Sequence, residues 1–186
     1  MFGFLRRGRR NREAESAAQH ELVIAARDHL YGCYRAMNIF DRNIDDRVWT
    51  DAYLLGFGQG SLAIMIDCLG AGLTTEQKGF VVLNAFKGLT PDRYSELSDR
   101  IADLFQQRET EFMRGMLHGT NVAALILERP GPALLAEPEV QAALRAAPSM
   151  ASMGLGGDYS SFSAAGAWLM DEYLSHHRQV AGYGQA

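Results

Sequence analysis

The sequence predicts an all-α protein, a single-domain helical bundle of about six helices arranged round a central, nearly all-apolar helix. Apolar residues recur at intervals of three and four through most of the chain, and no segment alternates apolar and polar residues between hairpin turns. The stretches between periodic segments hold the Gly, Pro, Thr and Asp residues that stop and start helices. With 186 residues, 47% hydrophobic and 22% charged, the chain has the composition of one ordinary globular domain, which excludes a disordered or collagen-like polymer.

The first helix is expected from residue 13 to about 38, with Leu22, Ala26, Leu30, Cys33 and Met37 on one stripe and Arg27, Asp28, Tyr31 and Arg35 on the other side. Asn38 to Asp46 reads as a turn, with a cap near Asp45 or Asp46 opening a second helix that runs to about Gly70. Within it, Leu54 to Leu73 is long enough to cross a membrane. Gln59 and Asp67 oppose this, because a mid-helix Asp costs about 2.5 to 3.5 kcal/mol on insertion scales. The segment is therefore expected to be the buried central helix. Thr74 and Gln77 have capping-box spacing and open a third helix over about 75–87. Its stretch Gly79 to Leu83 has strand propensity, but the cap and Gly88 favour helix.

Thr90-Pro91 reads as an N-cap followed by proline at the first helical position. The periodic run that follows, to about residue 128, predicts either one long helix or two with a break between Gly115 and Asn121. A short helix is expected over Pro138 to Ala147, a loose stretch over Ser149 to Gly157, and a last helix from Asp158 to about Val180.

Charge is unevenly placed. Arg6, Arg7, Arg9, Arg10 and Arg12 face no acid before residue 13, so the formal −4 of the whole chain becomes −9 for residues 13–186. Residues 1–12 are expected to form a disordered basic arm and residues 13–186 the domain. An acidic body argues against nucleic-acid binding, which needs a basic face on the fold itself. Phe2 and Phe4 beside Arg6, Arg7, Arg9 and Arg10 suit weak contact with an anionic membrane surface. Apolar residues before the arginines reverse the order of a secretory signal, and the two cysteines, Cys33 and Cys68, both lie in apolar stretches. Both features predict a cytoplasmic protein. Arginine outnumbers lysine 16 to 2, an association with GC-rich bacterial coding.

Asp67 is the most informative residue, since a carboxylate in an apolar helix is costly unless paired or used. Its helical face runs back through Ala63, Gly60 and Gly56. That small-residue row either packs closely on another helix, such as one carrying Gly115, Gly119 and Ala123, or leaves room for a ligand. A pocket there would have Asp67 at its floor and His118, Tyr53 or Trp168 as lining. Gly56 to Gly60 lacks the strand that a dinucleotide fingerprint requires. His29 and Cys33 are one turn apart and, joined by Cys68 and either Asp67 or His118, would offer zinc ligands, although no paired-cysteine spacing supports them. The Glu-x-x-His pattern of di-iron bundles is absent: Glu111 and His118 share a helix face but stand about 10 Å apart, too far to share one ion, whereas Glu172 and His176, one turn apart, could chelate; haem or metal ligation by these histidines is a minor alternative. No cofactor is predicted. Trp49, Tyr53, Phe57, Trp168 and Tyr173 fall at helical spacing, for which core or a subunit interface is the default role.

No catalytic spacing stands out, so the first functional reading is a non-catalytic homodimer, adaptor or assembly factor acting through helix contacts. The all-round apolar second helix carries the dimer expectation. A helical-bundle enzyme or carrier with its pocket at Asp67 is the second reading, and membrane-surface attachment through the arm the third.

Overall fold

In the computed structural model, which describes residues 3–35, 46–146 and 160–182, every regular element is helical. The order is α1 (Gly3–Arg35), a 3-10 turn (Asp46–Trp49), α2 (Ala52–Leu69), α3 (Thr75–Leu89), α4 (Tyr94–Gln106), α5 (Thr110–Ile126), α6 (Pro132–Ala136), α7 (Pro138–Ala146) and α8 (Ser161–Ala181). The protein is an all-α bundle, with eight helices among the described residues where the sequence suggested about six.

Both additions have local causes. The long periodic run is divided at Gln107–Glu109, before the glycines expected to break it. Arg108 adopts a left-handed conformation (φ 49°), its N–H donates to Phe105 O (3.2 Å), and the Glu109 N–H donates to Leu104 O (3.0 Å). This is the Schellman ending, usually made by glycine. Glu109 then caps α5, its Oε2 accepting from Phe112 N at 2.6 Å. Leu127 to Arg129 end α5 the same way through Glu128 (φ 56°), and Pro132 opens the one-turn-plus α6.

Several boundaries move. α1 begins at Gly3, so the basic segment from there to Arg12 is helical; the side chains of Phe2, Phe4, Arg6, Arg7, Arg9 and Arg10 lie outside the described residues. Asp51 caps α2 by accepting from Leu54 N at 3.1 Å, later than the cap expected at Asp46 or at Asp45, which lies outside the described residues. Thr90 serves the end of α3, its hydroxyl donating to Phe86 O, and α4 starts only at Tyr94. The capping box of α3 forms in both directions, with Gln77 N donating to Thr74 Oγ1 and Thr74 N to Gln77 Oε1. No strand forms at Gly79 to Leu83. The loose stretch and Asp158 lie outside the described residues, and α8 is capped by Ser160.

α2 is the centre. It is the one described helix long and apolar enough to cross a membrane, and most of it is buried inside the fold, where α1, α3 and α5 pack on it. Its apolar sides are thus satisfied within the chain, which removes the reason for expecting a second copy on that helix.

The pairing of α2 with α5 is the most extensive helix contact, and glycine makes it. A methyl group on Gly56 would lie 2.0 Å from Phe112 O and one on Gly60 2.1 Å from Met116 O. Across the same seam, Gly115 and Gly119 would collide with Tyr53 O and Phe57 O, each at 2.0 Å. The two small-residue rows pack on each other and fill the space a ligand would need. α8 closes over α5 next, with Gly166 against Leu125 and Ile126, and α7 packs on α8.

Candidate functional site

The backbone approach of α2 to α5 places Tyr53, on the first turn of α2, beside His118 on α5. With α7 and α8 they enclose a cleft of ≈ 500 Å³. Tyr53 Oη lies 2.8 Å from His118 Nδ1. The Tyr53 ring stacks on the His177 imidazole (centroids 4.3 Å apart, planes 19°) and lies under the Arg114 guanidinium at 5.2 Å. His118 in turn stacks on Tyr173 at 3.8 Å and 11°, and the Tyr173 hydroxyl donates to Glu139 Oε2 at 2.6 Å. At the other end, His177 Nε2 is 2.8 Å from Asp51 Oδ2.

Asp51 thus has two tasks, one oxygen capping α2 and the other holding His177. The result is an unbroken relay of Asp51, His177, Tyr53, His118, Tyr173 and Glu139, which ties α8 and α7 to the α2–α5 pair. Every link is a hydrogen bond or a ring stack, so the side chains are held in place before any ligand arrives.

Burial sets the protonation states. It lowers the His118 pKa, with Arg114 acting the same way and Glu139 and Glu111 opposing, so the imidazole is neutral at pH 7. Burial raises Tyr53, and burial with the Glu139 contact raises Tyr173, so both phenols keep their protons. A neutral imidazole bonded to a protonated phenol offers hydrogen-bond donors and acceptors to a molecule in the cleft.

Three residues singled out from sequence meet in this cleft: Tyr53, His118 and Trp168. Glu172 and His176 line it too, as successive turns of α8 after Trp168. Asp67 does not belong to it. Its side chain is 59% exposed and pairs with Lys78 Nζ at 2.5 Å, because the last turn of α2 runs beyond the core to where α3 starts. Gly56 and Gly60 are filled by the α5 backbone and leave no space for a ligand.

The zinc set also fails to assemble. His29 Nε2 is hydrogen-bonded to Ser61 Oγ, and Cys33 Sγ is 3.7 Å from His29 Nε2 and 4.0 Å from Ser61 Oγ. Cys68 lies two turns past Ser61, roughly 10 Å along α2. Among the described residues no group of three or more His, Cys, Asp or Glu is placed to hold a metal ion. Burial pushes the Cys33 thiol up to about 11 and lowers His29, which suits an unreactive core thiol beside a neutral imidazole. Glu111 pairs with Arg114 at 2.5 Å.

Asp51, Arg114, Glu139 and His177 were not singled out in the sequence. Asp51 and Glu139 sit near helix starts, where acids are ordinary, and only the fold reveals their second partners. A signal did exist on α8, where Trp168, Glu172 and His176 recur every four residues and mark one face as neither plain core nor plain solvent.

Comparison with known proteins finds no matching family model, no matching curated protein and no matching solved structure. The cleft itself therefore carries the functional argument.

Proposed function

We propose that this protein binds a small organic molecule in the cleft between α2, α5, α7 and α8, as a carrier or as an enzyme using acid–base chemistry at His118 and Tyr53. The carrying observation is the preorganised relay from Asp51 to Glu139. It lines a cleft large enough for a compact ligand with aromatic and hydrogen-bonding groups drawn from four helices. Native mass spectrometry of protein purified without added ligand, with its absorption spectrum, tests this. The expected result is an extra mass in the wild type that Trp168→Ala loses. A bare chain mass, together with no ligand-induced shift of the His118 ring signals across a fragment library, would overturn it.

A second reading, homodimerisation, is supported by the other open face. α3 and α4 border an apolar groove of ≈ 380 Å³, lined by Val82, Leu83, Phe86, Leu97, Ile101 and Phe105. Phe105 is 55% exposed and Phe80, one turn before Leu83, is 51% exposed, an arrangement that favours contact with another apolar surface. Sedimentation equilibrium of the wild type beside Phe105→Asp decides it: a micromolar dimer lost in the variant supports the reading, and a wild-type monomer ends it.

A further inference from the structure

Resting on the ligand-binding reading, we infer that the cleft takes a small organic amine in its cationic form, with an aromatic or apolar body. Two carboxylates, Glu139 and Glu172, line the cleft, against one guanidinium, Arg114. The positive charge of Arg114 is already met by Glu111 at 2.5 Å and by the face of Tyr53. The neighbouring imidazole of His118 is neutral at pH 7 because burial lowers its pKa. Among the described residues that line the cleft, two carboxylates thus stand against one guanidinium that is already paired, and of the other two imidazoles, those of His176 and His177, the second is held by Asp51, a balance that attracts cations and disfavours anions.

The wall chemistry agrees with the charge. Trp168 and Glu172 are one helical turn apart on α8, so an indole and a carboxylate stand side by side on the cleft wall. An ammonium group held by Glu172 can then rest its positive charge against the indole, the best of the aromatic faces for that purpose. Tyr173 supplies a further aromatic surface, and its hydroxyl is committed to Glu139, which fixes that carboxylate on the first turn of α7. Carboxylate, indole and phenol around a compact volume form a cation-binding cage, open enough to admit an attached ring.

Three probes of nearly equal size and different charge separate this proposal from the reading beneath it: benzylamine, benzyl alcohol and benzoate. Binding is followed by calorimetry and by the fluorescence of Trp168 in a Trp49→Phe background. Benzylamine is expected to bind at least about tenfold more tightly than benzyl alcohol, equivalent to about 1.4 kcal/mol, with benzoate weakest. The preference should shrink in Glu172→Gln, an exposed position whose substitution leaves the fold intact, and should weaken with added salt. Equal or tighter binding of benzyl alcohol or benzoate overturns the amine assignment while leaving the ligand-binding reading standing. Benzylamine binding unchanged in both Glu172→Gln and Trp168→Ala overturns the assignment to this cleft. No binding of any probe at millimolar concentration, in a protein whose native mass includes a retained ligand, overturns the amine class alone; with a bare native mass it overturns both.

Discussion

Tyr53 meets α5 twice, its carbonyl oxygen 2.0 Å from where a methyl on Gly115 would be and its hydroxyl 2.8 Å from His118 Nδ1. The distance between two helix backbones therefore sets the distance between two side chains of the candidate site. Glycine at 115 is what brings the imidazole within reach of the phenol, and the packing seam and the site share one geometry.

Gly115→Ala tests that link. The obstructing atom is backbone, which cannot swing aside, so the helices must separate. Overpacking of this kind costs about 3 kcal/mol, roughly 6 to 12 °C in Tm for a chain of this size. The expected outcome in thermal denaturation is a fall in that range, with the His118 ring signals shifted in NMR spectra of the remaining folded protein. Gly79→Ala is the contrast. A methyl there meets nothing within 4 Å on a solvated helix face, so Tm should hold or rise, by up to about 1 kcal/mol in stability. Equal losses in both variants would show that the glycine seam is not special.

Asp67→Asn separates a buried acid from a surface one. A carboxylate paired inside the core would cost about 3 to 5 kcal/mol to disrupt. The pair with Lys78 is instead solvent-facing, and exposed pairs contribute about 1 kcal/mol or less. The expected result is a Tm change of no more than a few degrees, absent in high salt, and no effect on ligand binding. A large loss of stability would place Asp67 back in the interior.

The fates of Asp67 and Arg108 show what could be read from sequence and what could not. Helical period identified α2, α3, α7 and most of α8, and the Thr74–Gln77 box fixed the start of α3, because these signals are local. Period alone also placed Asp67 on a glycine face, but it does not say where a helix leaves the core. The break at Gln107–Glu109 was hidden because Arg108 occupies a position where glycine would have announced it, while Gly115 and Gly119 looked like breakers and are packing surfaces. Tyr53, His118 and Trp168 were legible as aromatic and imidazole groups on apolar faces. Their partners Asp51, Glu139 and His177 acquire meaning only through contacts as distant as 126 residues in sequence.

Arg108→Gly should be stabilising. A side chain in the left-handed region carries a penalty of about 1 to 2 kcal/mol that glycine lacks, partly offset by the greater freedom of glycine in the unfolded chain. The net expectation is a gain of about 0.5 to 1 kcal/mol, visible as a higher urea midpoint with an unchanged slope. Glu128→Gly, at the matching end of α5, should behave alike. A loss in both would mean that their side chains, rather than their backbone conformation, hold the two turns.

Acid should destabilise the fold through two histidines. Burial lowers the pKa of both His29 and His118 from the ordinary 6.5, so each takes up a proton more readily in the unfolded chain. The unfolded state then binds more protons over that interval, and stability falls as pH falls. This contribution is fully present above about 6.5 and is lost as pH drops through the lower folded values. Neither imidazole has a carboxylate bonded to it that would reverse the sign: His29 contacts Ser61 and Cys33, and His118 contacts Tyr53 and Tyr173. Melting temperatures measured from slightly above neutrality down to about pH 5 should therefore decline, and the double variant His29→Gln, His118→Gln should start lower and decline less steeply. Parallel curves for the wild type and the double variant would assign the acid sensitivity elsewhere.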